Sequence, residues 1–384
     1  MKKRYFCPAL SVYPDMKIKP FQALYPRFDR IDSPDTFCEQ AKDRFPEFLE
    51  NGLYEQFPEN ALYVYQIEDG HRKHTGLLVM NHVDDFSSGK IKKHEHTIRE
   101  KERQQIDLFL EWKAMLKPVL LTYPSVREIE NWLHTAILSA PPLFTVRFEK
   151  DGQIHRIWPV NDPKEIDFLR QLFAAKVPTA YIADGHHRTS TIALLREEND
   201  RYDFEQIYCV FIGADELDIL DFNRVVEYPE NWSETAFMAE MADIFTIETL
   251  DAARHPAGKF EIVMYLDGSW YSLRWKQEVL DRYPSDKVLL DTSLLNEHVL
   301  NDLLEIKDVR SDSRIMYIDG SRGLEGVRQT TDKSGNRIGF LLFPVSFDDM
   351  IHIADAGETL PPKSTYFEPR IRSGLMIKKL ERKN

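Results

Sequence analysis

Cysteine is scarce in this chain: three residues, Cys7, Cys38 and Cys209, among 384. Odd in number and far apart, they offer neither a disulfide framework nor metal-ligand spacing, and a reducing cytoplasm is the compartment they fit. Long apolar runs are missing as well. No window approaches about eighteen uninterrupted apolar residues, which excludes a membrane-spanning helix. The opening MKKRYFCPALSVYPD is basic but lacks an apolar stretch of signal-peptide length. Positive charge is in deficit: 50 Lys and Arg stand against 63 Asp and Glu, a net charge of −13. Such a chain repels nucleic acid and anionic membranes unless a local basic patch overrides the total. Internal repeats and low-complexity tracts are absent, so solenoids and propellers are not expected.

What is present suits an ordinary globular protein. Hydrophobic residues make up 42% and aromatics 12%, ample for filled cores. The length exceeds what one core usually serves, so two or three domains are expected. Residues 35–50 read as a helix interrupted at Pro46. ALYVYQI (61–67) and TGLLVMNHV (75–83) read as a hairpin, as do the two halves of LFTVRFEKDGQIHRIWPV around Asp151-Gly152. A helix is expected from Ile98 to about Lys117, capped by Thr97 with Glu100 in the capping-box position and stopped by Pro118. Another is expected after a Ser125 cap. LDILDFNRVVE reads as a loop leading to a short strand. PENW (229–232) opens a helix-rich part and marks a domain boundary. Beyond it lie a hairpin at Asp267-Gly268, a helical DTSLLNEHVLNDLLE, and strands at RIMYID and RIGFLLFPV. His134, His298 and His352 sit in apolar-patterned segments and read as partly buried structural residues.

The chemistry concentrates in YIADGHHR, residues 181–188. A β-run ends at Asp184, Gly185 permits a sharp turn, and a helix begins at once. The first N–H groups of such a helix lack partners within it and carry the positive end of its dipole. His186, His187 and Arg188 add side-chain donors, which together make an anion site suited to phosphate. Asp184 is placed to hold Mg²⁺ or to orient a histidine, and Thr189 and Ser190 to cap the helix or meet phosphate oxygens. The structural alternative is an Asp N-cap with surface histidines.

A second constellation is KHEHT, residues 93–97, where Glu95 offers a general base between His94 and His96. A zinc site from His94, His96, His186 and His187 is a minor alternative, since no cysteine assists and the i, i+4 spacing is missing. A third is PPKSTYFEPR (361–370). Its Lys363, Ser364 and Thr365 could contact phosphate, although no Gly-rich loop precedes them, and a proline-bounded clasp explains them equally.

KPF at 19–21, KHEHT with Glu102-Arg103 after it, ADGHHR at 183–188, and PPKSTYFEPR with RSGL at 372–375 occur together and in this order. In these the chain resembles a bacterial and archaeal family long labelled a domain of unknown function, which includes the archaeal free-serine kinase. The resemblance implies an α+β protein of mixed sheets with a ParB/sulfiredoxin-like core and a C-terminal α+β domain. The expected division is 1–85 for an N-terminal α+β segment, 86–230 for the catalytic core, and 231–384 for the C-terminal domain. It implies Glu95 as catalytic base, aided by Asp184 and His186. Phosphate or nucleotide would lie on Gly185, His186, His187, Arg188, Thr189 and Ser190, and Mg²⁺ on Asp184. His94, Thr97, Asn223 and Arg224 would contact substrate, with Arg103, Lys363, Ser364 and Thr365 as accessories. Asn223 stands where the family usually has the histidine of a His-Arg pair, and YPRFDRIDSP replaces a Pro-Pro-Tyr-Asp-Val-like stretch.

The expected reaction moves a phosphoryl group from ATP or ADP to a hydroxyl, free L-serine first among acceptors. Partners are then a nucleotide and a small molecule, without nucleic acid or membrane. The competing readings are a ParB-like nucleotide switch associated with DNA, and a phosphate-ester or nucleotide hydrolase using the same residues.

Overall fold

The computed structural model describes residues 15–70, 72–199, 201–229, 233–285 and 287–383. Cys7 and residues 230–232 of the expected boundary lie outside these. The chain is a mixture of helices and several sheets, and it divides into two compact units. One holds residues up to 92, 97–216 and 371–384; the other holds 93–96 and 217–370.

The first unit is built on a nine-stranded sheet. Its strands run in the order Ile91–Lys92, Ala180–Asp184, Val119–Tyr123, Gln206–Gly213, Arg72–His82, Leu62–Asp69, Ile154–Val160 and Phe144–Arg147, with Ile18–Lys19 added on Arg72–His82. Most pairs are antiparallel; Ile91–Lys92 with Ala180–Asp184 and Val119–Tyr123 with Gln206–Gly213 are parallel. Val119–Tyr123 and Leu77–Val79 are buried on both faces, as their unbroken apolar runs require. The hairpin at 62–82 therefore lies between Ile154–Val160 and Gln206–Gly213 in the same sheet as residues 86–216. A strand so apolar needs neighbours on either edge, and residues beyond 85 supply them. A smaller sheet joins Tyr54–Gln56, Ala23–Pro26, Ile377–Lys379 and Ala114–Met115, drawing the last residues of the chain into this unit.

Local signals held in part. The helix Pro34–Glu50 starts on a Ser33 cap and accommodates Pro46 through non-helical dihedrals at Arg44. The helix after KHEHT spans only Arg99–Trp112. Ile98 is its cap residue and no side chain caps it, so the Thr97/Glu100 box does not form. Lys113 turns left-handed and Ala114–Met115 pairs as a strand, ending the helix well before Pro118. Ser125 does not cap Arg127–Ser139 either; its hydroxyl accepts from Asp215 N–H at 3.0 Å.

The second unit carries a six-stranded antiparallel sheet in the order Phe245–Leu250, Ser269–Trp275, Glu261–Leu266, Arg337–Leu341, Phe222–Glu227 and Ile315–Asp319. Its core gathers Phe245, Met264, Leu273, Leu295, Val299 and Phe340. LDILDFNRVVE is not a loop but two strands, Asp218–Leu220 and Phe222–Glu227, the first paired with Tyr366–Glu368. The helix expected from Asp291 changes to a wider π-helical winding over Leu295–Asn301. Of the three isolated histidines only His298 is buried; His134 and His352 are exposed.

Candidate phosphate-binding turn and its neighbours

In the first unit the turn at 184–188 forms as the residues dictate. Strand Ala180–Asp184 ends at the acid, Gly185 takes φ +107°, and the helix His186–Glu198 begins at the next residue. No side chain caps this helix and no acidic residue stands in its first turn. Its N-terminal dipole and N–H groups are therefore left to a ligand or water. Asp184 Oδ2 accepts from Arg188 at 2.8 Å and lies 3.1 Å from Lys117 Nζ, while Arg188 also donates to the Pro118 carbonyl at 3.2 Å. One carboxylate thus holds two cations beside an uncapped helix start. Gly185 is required twice over: its φ disfavours any side chain, and a Cβ there would stand 2.7 Å from Arg188 Nη2.

His186 is buried and His187 half-buried. His187 Nδ1 accepts from Ile98 N–H at 3.4 Å, so that nitrogen carries no proton. Burial, with Lys101 and Arg188 nearby, pushes its pKa below the usual histidine range. Thr189 is turned away from any ligand, since its buried hydroxyl donates to the Gly185 carbonyl at 3.2 Å. Ser190 is half-buried in the same turn, and Arg103 is exposed on Arg99–Trp112. Lys117 was missed by sequence reasoning. It precedes a proline far from any motif, and only the pairing of Val119–Tyr123 with Ala180–Asp184 brings it to Asp184.

The segment leading to KHEHT is anchored by a buried ion pair in the first unit. Asp85 binds Lys90 at 3.0 Å and accepts from Asn81 and from Lys17 N–H, each at 2.9 Å. The Lys90 carbonyl then accepts from Ala180 N–H at 2.9 Å. His94, Glu95 and His96 are counted with the second unit and Thr97 with the first. There the buried His94 is held by backbone and ring: its carbonyl accepts from Leu360 N–H at 2.8 Å, and Nε2 lies 3.5 Å from Thr365 Oγ1. The half-buried Glu95 is the next residue, so its backbone is fixed at one side by this anchor. Burial lowers the His94 pKa to about 4. The neutral ring's contribution to stability is therefore complete above pH 6.5 and is lost as the pH falls towards 4. Between pH 7 and pH 5 this histidine should cost roughly 2 kcal/mol of unfolding free energy. Denaturant midpoints at the two pH values should fall further in wild type than in His94→Gln; equal falls would contradict it.

Asn223 and Arg224 are wholly buried within the second unit, so neither side chain reaches a ligand in this conformation. Asn223 Oδ1 accepts from Leu342 N–H at 3.1 Å. Arg224 donates to the carbonyls of Phe222 and Lys363 and lies over the Tyr317 ring. Without water around it the guanidinium is less easily charged, and its pKa falls to about 10. Lys363 lies over the Phe222 ring at 4.8 Å, and the buried Ser364 donates to the Pro361 carbonyl at 2.7 Å. The 361–370 segment is thus tied down as a clasp by side chains once expected to meet phosphate.

Among the described residues, no group of three or more His, Cys, Asp or Glu is arranged to hold a metal ion, and the four-histidine zinc set is not assembled. Asp184 itself is already engaged by two cations. The described residues thus form no all-protein cage for Mg²⁺, an ion usually held by one or two carboxylates together with substrate phosphates. No helix among the described residues is long and apolar enough to cross a membrane.

The profile of one protein family, described as "Protein of unknown function (DUF1015)", matches residues 24–296. No curated protein matches the chain. Among solved structures it is similar to "Free serine kinase in complex with AMP", at 14% identity and a TM-score of 0.38, over 76% of this chain and 86% of that one. A C-terminally truncated SbnI from Staphylococcus aureus gives 13% identity and a TM-score of 0.40, over 76% and 82%. A conserved hypothetical protein from Pyrococcus furiosus gives 13% and 0.34, over 76% and 90%. Likenesses this slight transfer neither ligand nor activity.

Proposed function

We propose that this chain, which belongs to the family described as "Protein of unknown function (DUF1015)", is a nucleotide-dependent kinase of a small hydroxyl compound, free L-serine first among them. The observation that carries the reading is the uncapped start of His186–Glu198 with Arg188 and Lys117 gathered on Asp184. A terminal phosphate is the ligand best matched to a helix N-terminus with two cations beside it. The ParB/sulfiredoxin-like character of the core is part of the same proposal.

Phosphoryl transfer asks the protein mainly for positioning and charge neutralisation. Glu95 takes the proton of the acceptor hydroxyl. The hydroxyl oxygen forms its bond to the terminal phosphorus, and the bond from that phosphorus to the bridging oxygen breaks. The nucleotide leaves with the electron pair of the broken bond. Asp184 acts as a positioning residue that keeps Arg188 and Lys117 in place.

The test is transfer from ATP and from ADP to a panel of amino acids and small alcohols, with phosphorylated product and free phosphate followed together. Formation of O-phosphoserine matching nucleotide consumption is expected. Free phosphate without phosphorylated acceptor would replace the kinase reading with a hydrolase.

A further inference from the structure

Apart from the phosphate turn, the first unit holds a cleft of about 440 Å³ between the helix Arg127–Ser139 and the sheet. That is within the size range of small-ligand sites. Its floor follows from strand register. Arg156 lies opposite Gln66, and Gln66 opposite Thr75, so the three line up across neighbouring strands. Hydrogen bonds run along the row. Arg156 Nη1 donates to Gln66 Oε1 at 3.3 Å, Gln66 Nε2 to Thr75 Oγ1 at 3.2 Å, and Thr75 N–H to Glu216 Oε2 at 3.3 Å.

This row is cationic at one end and anionic at the other. At the first end, Arg156 and Lys73 share the single carboxylate of Glu68, at 2.7 and 3.8 Å, which leaves about one positive charge. At the second, Glu216 is joined by Glu130, whose buried Oε1 has no hydrogen-bond partner among the described residues. Leaving such an oxygen unsatisfied costs about 1–3 kcal/mol or more. Burial above all raises the Glu216 pKa and Glu130 adds to this, while the Thr75 N–H bond and the nearby His74 and Arg72 offset it in part. A metal ion does not answer the need, since no group of three suitable ligands is arranged for one among the described residues. Between the poles the wall is apolar: Leu133, Ile137, Trp158, and Leu138, which is 73% exposed.

We propose that this cleft is a ligand site for a short peptide with free termini, its ammonium between Glu130 and Glu216 and its carboxylate facing Lys73 and Arg156. Arg156 and Thr75 lie about two strand spacings apart, roughly 10 Å, with Glu216 one hydrogen bond beyond Thr75. Three extended residues span about the same distance. A middle apolar side chain then lies along Ile137 and Leu138. The site is independent of the kinase reading and uses none of its residues.

The test is calorimetric titration of the full chain with Gly-Leu-Gly, its N-acetyl form, its C-amide and leucine alone. The free tripeptide is expected to bind, and each cap to weaken binding at least tenfold. Glu130→Gln should weaken it similarly while keeping or raising the melting temperature, because the variant removes one of two neighbouring carboxylates. Lys73→Met, at an exposed lysine, should bind the free and amidated peptides more nearly alike. Silence towards Gly-Leu-Gly at millimolar concentration would overturn the proposal, as would equal binding of the capped peptides or of leucine.

Discussion

Replacing Glu95 with glutamine should cut phosphoryl transfer to the acceptor hydroxyl by roughly two to four orders of magnitude, the usual worth of a positioned general base. Glutamine keeps the size and hydrogen-bonding reach of the side chain but cannot take a proton. The neighbouring anchor is untouched, since His94 holds the segment through its own carbonyl and ring. Nucleotide affinity should therefore stay within about twofold, because no phosphate contact is assigned to Glu95. Single-turnover transfer and calorimetric titration with ADP separate the two effects. A Glu95→Gln protein that transfers phosphate at the wild-type rate removes the base from the mechanism, and one that loses nucleotide binding moves Glu95 to a binding role.

Gly185→Ala is expected to have the second largest effect, and through a different quantity. The new Cβ meets an unfavourable φ and stands 2.7 Å from Arg188 Nη2, so the backbone or the guanidinium must move. Holding a non-glycine residue there costs about 1–3 kcal/mol. Arg188 is the group that yields, and its bond to Asp184 goes with it. Nucleotide binding should weaken at least tenfold, with a measurable loss of denaturation free energy. Thr189→Val is the control. It loses only a hydroxyl bond to the Gly185 carbonyl and should bind nucleotide as wild type does. Unchanged binding by Gly185→Ala would mean that phosphate is held elsewhere.

These two residues also show how much of the candidate site is written locally. A strand-ending acid, a glycine and a helix start are properties of consecutive residues, so the turn at 184–188 was legible from composition and order alone. Glu95 was legible as a candidate base for the same reason. Capping was less so: Thr97 and Ser125 satisfy the local rule, yet Ile98 and Val126 became the cap residues. A hydroxyl caps a helix only if the preceding chain enters at the right angle, and strand pairing on either side sets that angle. Likewise Lys363 and Ser364 looked like phosphate ligands, but Lys363 is spent on Phe222, which only long-range folding brings near, and Ser364 on the Pro361 carbonyl three residues before it.

By itself the sequence determined the class of protein, its mixed helices and sheets, the two hairpins that open at Gly70 and Gly152, and the strand–glycine–helix turn at 184–188. All of these rest on short-range periodicity and turn chemistry. Only the tertiary structure decided that residues 62–82 share a sheet with 119–123 and 206–213, and that residues 377–379 return to the first unit. It alone placed Lys117 on Asp184 and buried Asn223 and Arg224. The reason is physical: backbone pairing between distant strands is directed by which apolar faces must be covered, and no local residue pattern records the partner.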